Sequence, residues 1–370
     1  MLPAVCGKLA HPTSRCVSFH DTRANKRVGG LNLPPMISAK ALGAMPQFVL
    51  EAAGERRLLR AFDSADLPVH FIEERGGYIS EHALATFVHE AARSAGQQNI
   101  GLLWSPYLTV ADYGAWGGYV LSAPTLGAAL IRASAVMPFH SSTDRAWLET
   151  SGTSARYCYR FGLRSHLAYP DIGFSAVGVF LSIFRAYLGN DWKPWAVLLD
   201  FPKVPGFVEA EDTYACPVVW NASRLGVEFD ASALRAEATP QKLTGGSTTV
   251  GDISRERLGG PPQTLRVQVE EVVWQQLHRE EMSIDATARS LDLGVRTLQR
   301  KLASEGVRFR EIVNDVRVAR AEELLTDTRE TVSSISSILG YETANNFSRA
   351  FRKVTGLTPS DYRKMNSDSS

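Results

Sequence analysis

Two short runs in the last third of the chain carry side chains suited to reading an edge of a polar polymer. The first presents Arg296, Thr297, Gln299, Arg300 and Lys301, and the second presents Asn345, Asn346, Ser348, Arg349, Arg352 and Lys353. Arginine has a planar fork of donors that matches the two acceptors on a guanine edge. Glutamine and asparagine pair a donor with an acceptor, as an adenine edge requires. Lysine, serine and threonine serve phosphate oxygens. Neither residues 295–304 nor residues 343–355 contain an acidic residue, although acids are plentiful around them. That sorting of charge separates a face built for a polyanion from one that is merely solvated.

Elsewhere the candidates for chemistry are sparser. Trp104, Tyr107, Tyr113, Trp116 and Tyr119 form an aromatic cluster able to line an effector pocket, with Arg132 as a counter-ion for a carboxylate. Ordinary core packing is the competing account of these rings; Arg156 and Arg160 could likewise hold a carboxylate, and for all three arginines a surface or sheet-edge cation is the favoured reading. His140 reads as a structural histidine. Cys158 falls on a predicted strand, as a small buried residue or a redox-sensing thiol. There is no phosphate-binding glycine loop, no Gly-x-Ser-x-Gly elbow and no clustered metal ligands, so no catalytic site, metal site or cofactor is expected. An enzyme fused to a nucleic-acid module remains a remote alternative.

The elements that must position the two reading runs are short helices in duplicate. Ser283-Ile-Asp-Ala-Thr-Ala-Arg-Ser-Leu-Asp-Leu-Gly-Val-Arg-Thr-Leu-Gln-Arg300 places an N-cap serine, an apolar inner face and a turn ahead of the first run. Gly294 is expected to take the left-handed conformation in that turn. Thr331-Val-Ser-Ser-Ile-Ser-Ser-Ile-Leu-Gly-Tyr-Glu-Thr-Ala-Asn-Asn-Phe-Ser-Arg349 repeats the plan, with Gly340 at the turn. Val332, Ile335, Ile338 and Leu339 are expected inside, with Phe347 and Phe351 as anchors. Residues 283–304 and 331–355 therefore read as two helix-turn-helix units. One long helix from Phe309 to about Leu325 joins them, with Ile312, Val313, Val316, Ala319, Ala321 and Leu324 for packing. Its roughly 17 residues span ~25 Å, which with the helix widths sets the two reading helices about one DNA turn apart.

The chain has 370 residues and a formal net charge of +1, so two domains are expected and general basicity is not the basis of any nucleic-acid binding. Its four cysteines lack metal-like spacing and suit a reducing cytoplasm. No signal peptide is read, and the apolar run 176–188 is too short and too interrupted to span a membrane.

Residues 1–35 read as a poorly ordered leader. Residues 36–234 read as an α+β domain: helices first, then strands near 146–150 and 155–163 around a Ser151-Gly152-Thr153 turn. A helix near 172–189 comes next, and further strands lie near 195–201, 218–220 and 227–229, in a mainly antiparallel sheet. Residues 235–263 accumulate Thr, Gly, Ser and Pro and read as an interdomain linker. Residues 264–366 read as all-α. The fold class is thus multidomain, an α+β N-terminal sensor or dimerisation domain followed by an all-α C-terminal domain.

Residues 264–365 resemble the DNA-binding domain of the AraC/XylS family of bacterial transcription regulators. The resemblance is carried by Gly294-Val-Arg-Thr-Leu-Gln-Arg-Lys-Leu302 and by the stretch from Ile335 through Pro359 to Tyr362-Arg363. Ser336 stands where the family usually has alanine. The resemblance implies base contacts from Arg296, Gln299, Arg300, Asn345, Asn346 and Arg349. Residues 36–234 are more loosely similar to the arabinose-binding-type N-terminal region of the subgroup that includes ornithine-utilisation regulators. Gly118-Tyr-Val-Leu-Ser-Ala-Pro-Thr-Leu-Gly-Ala-Ala-Leu130 and Leu225-Gly-Val-Glu-Phe-Asp230 carry that similarity. Together the two resemblances imply a cytoplasmic regulator, by family habit an activator, with promoter DNA and RNA polymerase as partners. A small-molecule effector, a homodimer or both would act through its N-terminal half; a ligand-free oligomerisation or polymerase-contact module is the alternative.

Overall fold

Met36–Ser38 (β1) and Tyr78–Ser80 (β2) pair antiparallel, with Met36 opposite Ser80 and Ser38 opposite Tyr78. Successive side chains of a strand point to opposite faces, and here each face enters a different core. Ile37 and Ile79 belong to the core of the N-terminal half, whereas Met36 and Tyr78 belong to the first core of the C-terminal half. This small sheet is the joint of the molecule. The computed structural model describes residues 33–97, 99–203, 209–238, 248–277 and 282–367.

The N-terminal half begins with helices Met45–Ala53 (α1), Glu55–Ser64 (α2), Glu81–Ala95 (α3), Ile100–Trp104 (α4), Ala115–Leu121 (α5) and Leu126–Val136 (α6). Ser80 ends β2 and caps α3, its hydroxyl accepting the Ala83 N–H at 2.9 Å. The expected hairpin comes next as Arg145–Ser151 (β3) and Ser154–Arg160 (β4), with Gly152 in the left-handed turn position. Tyr169–Leu188 (α7), Ala196–Leu198 (β5), Ala210–Tyr214 (α8), Val218–Val219 (β6) and Leu225–Asp230 (β7) complete this half. The sheet order is β3-β4-β7-β5-β6, antiparallel except for the parallel β5–β6 pair. Helix α7 lies on this sheet, Phe180 meeting Tyr157 and Phe184 meeting Phe229 edge-on at 5.2 and 4.7 Å. At 20 residues it is long and apolar enough by composition to cross a membrane, and longer than the apolar run at 176–188 suggests. It is instead mostly buried between the sheet and the N-terminal helices.

Val250–Glu256 (α9) follows and sets its buried Ile253 into the N-terminal core, and the C-terminal half contains Leu265–Leu277 (α10), Ile284–Ser290 (α11), Val295–Ser304 (α12), Phe309–Asp327 (α13), Val332–Ile338 (α14), Ala344–Thr355 (α15) and Pro359–Ser367 (α16). Two separate cores hold it. Leu265, Val269, Val272 and Val273 of α10 pack with Leu298 and Leu302 of α12, while Ile335, Leu339, Phe347 and Phe351 form the second. Helix α13 serves both: Ile312 and Val316 enter the first core, and Val318, Ala321 and Leu325 enter the second. Ala319, expected to pack, is exposed.

Three expectations about whole segments need correction. Residues 33–35 of the supposed leader are held in place: the Pro34 carbonyl accepts the Gln268 side chain at 3.0 Å and the Pro35 carbonyl accepts the Glu81 N–H at 2.9 Å. The rest of that leader lies outside the described residues. The supposed linker 235–263 is structured wherever it is described. Its first residues lie along residues 124–126, with Leu126 N–H donating to the Ala236 carbonyl and Ala238 N–H to the Pro124 carbonyl. Thr249 and Asp252 then form a reciprocal capping box that starts α9. Beyond it, Arg257 is buried and donates to the Tyr113 carbonyl. Polar composition concealed this structure because capping and buried side-chain-to-backbone bonds, rather than apolar periodicity, maintain it. Finally, the Trp195–Phe201 strand shrinks to Ala196–Leu198, leaving Trp195 half exposed.

Candidate nucleic-acid interface

The first unit is built from α11 and α12. Ser283 caps α11 by accepting the Ala286 N–H at 3.1 Å, and Asp285 sits in the first turn near the positive helix end. Ala288 is buried, so the two helices approach closely. Behind them Gln276 of α10 and Thr287 exchange side-chain hydrogen bonds in the interior, at 3.1 and 3.3 Å. The turn departs from expectation. Asp292 takes the left-handed conformation, φ 52°, and Gly294 has φ −71° as the residue preceding α12. A short polar side chain is among the few that tolerate positive φ. In the second unit Gly340 holds the equivalent place, φ 69°, as expected. The backbone bonds match: Leu293 N–H reaches the Ala288 carbonyl and Tyr341 N–H reaches the Ser336 carbonyl.

On α12, Leu298 and Leu302 are buried while Arg296, Gln299 and Arg300 are exposed; Thr297 and Lys301 are half-buried. On α15, Phe347 and Phe351 are buried and Asn345, Arg349, Arg352 and Lys353 are exposed. Asn346 and Ser348 are half-buried, and Arg349 donates to the Asn346 side-chain oxygen at 2.6 Å. Thr343 caps α15 through the Asn346 N–H. Aromatic edges fix this helix, Phe347 against Tyr341 at 5.4 Å and Phe351 against Tyr362 of α16 at 5.4 Å. Ser336 is buried in the adjoining α14, so the added hydroxyl is accommodated. Ile338 was expected inside but is 52% exposed. It is the last residue of α14 and lies off the stripe formed by residues 332, 335 and 339.

Charge is distributed by face. Several arginines away from the reading helices are paired: Arg266 with Glu270 and Asp315, Arg289 with Asp66, Arg320 with Glu323. Among the described residues no ion pair engages Arg296, Arg300, Arg349, Arg352 or Lys353. These five cations lie on the exposed faces of α12 and α15. Helix α13, 19 residues long, separates the two faces by roughly 28 Å of helix at ~1.5 Å per residue.

The proposed effector residues do not converge. Trp104 is fully buried and donates to Ser175 at 2.7 Å, and Trp116 donates to the Val136 carbonyl at 2.9 Å. Tyr107 is 63% exposed and meets Phe48, which in turn meets Trp104. Arg132 stacks on the Tyr119 ring at 4.7 Å and donates to the Tyr119 carbonyl and to Ser122. Each ring thus has its own neighbours, and no described cavity is lined by these five residues together. Arg156 pairs with Glu228 at 3.0 Å. His140 is buried beside Arg257, and both burial and that cation push its pKa down to about 3. Burial pushes the Cys158 thiol up to about 12, which makes it a poor thiolate and a packing residue.

Comparison with known proteins agrees with this two-part plan. Residues 57–237 match the family model described as the arabinose-binding domain of AraC transcription regulator, and residues 287–365 match a helix-turn-helix domain model. The chain is 41% identical over 81 residues to the ornithine utilization regulator of Pseudomonas aeruginosa, covering 22% of this chain and 24% of that protein. It is 30% identical over 179 residues to the HTH-type transcriptional regulator VqsM of the same organism, covering 48% and 54%. The chain therefore spans between a quarter and just over half the length of these relatives. The crystal structure of transcriptional regulator CdpR from Pseudomonas aeruginosa is similar over 72% of this chain and 86% of that one. Its 24% identity and TM-score of 0.33 are too low to carry an argument. The two family models succeed one another along one chain and the relatives are themselves regulators: this chain belongs to the AraC/XylS family of transcriptional regulators, with an arabinose-binding-like N-terminal domain and a helix-turn-helix C-terminal region.

Proposed function

We propose that the chain is a sequence-specific DNA-binding regulator in which α12 and α15 enter two successive major grooves on one face of a duplex. The observation that carries this reading is that α12 and α15, one on each C-terminal core, both expose an acid-free face carrying Arg296 and Arg300 or Arg349, Arg352 and Lys353. Arg296, Gln299, Arg300, Asn345, Asn346 and Arg349 are assigned to base edges, and Thr297, Lys301, Ser348, Arg352 and Lys353 to the backbone. Because α13 contributes to both cores, the spacing of the faces is set within one chain and needs no second subunit.

The N-terminal half is assigned the role of control. Its contact with the first helix-turn-helix core through β1 and β2 supports a direct mechanical route from one to the other. A small-molecule effector, a homodimer contact and RNA polymerase are the partners in this reading, with activation as the outcome.

Selection of bound fragments from genomic DNA, followed by footprinting, tests the reading. It predicts two protected major grooves about 10–10.5 base pairs apart on one face. Protection of a single groove, or uniform protection regardless of sequence, would contradict it.

A further inference from the structure

A cavity of about 580 Å³ opens where three parts of the chain meet. Residues 70–77 of the N-terminal half supply His70, Phe71 and Glu74; the segment after α9 supplies Leu258; and α10 supplies Glu271 and Trp274. Its volume is that of a small-molecule site, and its walls combine apolar surface with few, convergent polar groups. Phe71 is buried at its base, while Leu258 is 78% exposed at its mouth.

The polar group at its centre is a carboxylate held in a fixed position. Glu271 Oε1 accepts the Tyr78 N–H at 2.9 Å, and Gln275 donates to the Tyr78 carbonyl at 2.7 Å. Gly77, φ 69°, lets the backbone pass so close to this carboxylate that any side chain there would collide with it. Among the described residues no donor engages Oε2. Glu74 adds a second carboxylate, and among the described residues no lysine or arginine lines the cavity. The adjacent Arg75 is turned to the Ile72 carbonyl. A negative potential with an apolar wall excludes anions and favours an apolar cation.

We infer that this cavity binds a small organic amine, its ammonium on Glu271 and its apolar body between Phe71 and Trp274. Burial raises the Glu271 carboxyl above its usual range, a desolvation cost that an incoming cation would offset. The site is also placed to report occupancy. Arg320 of α13 lies over the Trp274 ring at 5.9 Å, so the tryptophan that would line the ligand also touches the helix joining the two helix-turn-helix units. Ligand binding itself is independent of the DNA-reading proposal; its effect on promoter occupancy rests on it.

Calorimetry on the full chain tests the inference directly, without DNA. Tryptamine and octylamine are the probes, with tryptophol as the uncharged analogue and indole-3-propionate as the anionic one. Both amines are expected to bind, tryptophol weakly and the anion not at all. Glu271→Gln keeps an oxygen for the Tyr78 N–H, so near-UV circular dichroism and melting should match the parent, while amine affinity falls roughly ten- to a hundredfold. Gly76→Leu is a second, independent variant. An added Cβ at Gly76 meets nothing within 4 Å and the backbone is unstrained there, so the leucine can fill the cavity and abolish binding. The inference is overturned if neither amine binds at millimolar concentration or if tryptophol binds as well as tryptamine. Amine affinity unchanged in either folded variant would overturn it equally.

Discussion

The side chain of Glu271 replaces a missing strand for Tyr78, accepting its N–H at 2.9 Å while Gln275, one helical turn on, donates to its carbonyl at 2.7 Å. A β-strand edge that would otherwise need another strand is thus paired by one face of α10. Gly77 makes the approach possible. Gly77→Ala should destabilise the chain by about 1–3 kcal/mol, combining positive-φ strain with displacement of the Glu271 carboxylate. Urea denaturation checks this, and unchanged stability would mean that the junction does not depend on this close approach.

The ion pair at the same junction should matter far less. Arg289 reaches Asp66 through two bonds of 3.2 Å, but its side chain is 64% exposed. A double-mutant cycle with Arg289→Ala and Asp66→Ala should return a coupling of about 0.2–1 kcal/mol, falling with added salt. A coupling of several kcal/mol that ignored salt would mean the pair, rather than the sheet, holds the halves together.

The second helix-turn-helix unit has its own small core, so it should fail separately. Phe351→Ala removes a fully buried ring that contacts Phe347 and Tyr362 and should cost about 3–5 kcal/mol locally. Hydrogen exchange should then show fast exchange in α14 and α15 while α7 stays protected. Uniform loss of protection would contradict the division into two C-terminal cores.

Asp171, in the first turn of α7, supplies a pH prediction. Burial raises its pKa from 3.8 to about 6, partly opposed by the Gly101 N–H that its carboxylate accepts. An acid whose folded-state pKa is raised imposes no penalty below its unfolded value, and stability is lost as pH rises towards the folded value. The full loss is on the order of 3 kcal/mol above pH ~6. Asp171→Asn keeps the acceptor for Gly101, so it should match the parent near pH 3.5 and exceed it by up to about 3 kcal/mol at pH 8. A constant difference across that range would place the charge elsewhere.

Local chemistry made much of this architecture legible. Ser283, Gly340, Gly152 and the apolar spacing of Ile312, Val316 and Ala321 all act where they were expected, because caps, turns and helix faces depend on near neighbours. The features that escaped notice depend on distant ones. Strands β1 and β2 have three residues each and lie some forty residues apart in sequence, and half of their burial comes from the C-terminal core. No periodicity can show that. Asp292 took the turn position assigned to Gly294 because the bonds to Ala288 and Arg289, rather than residue preference alone, place the left-handed residue. The aromatic residues from 104 to 119 looked like one cluster in sequence; Tyr113 does meet Trp116 at 5.9 Å, yet Trp104, Trp116 and Tyr107 have their partners Ser175, Val136 and Phe48 on separate elements.

The most direct measurement of the central claim is the affinity of the full chain for its mapped promoter site, determined for the parent, Arg300→Ala and Arg349→Ala by fluorescence anisotropy. Both arginines are exposed, so circular dichroism should show intact folds. Each substitution should cost about 1–3 kcal/mol on the specific site and relax sequence preference in its own half-site, with little change on unrelated DNA. Parent-like affinity and selectivity in both variants would contradict the assignment of α12 and α15 as the reading helices.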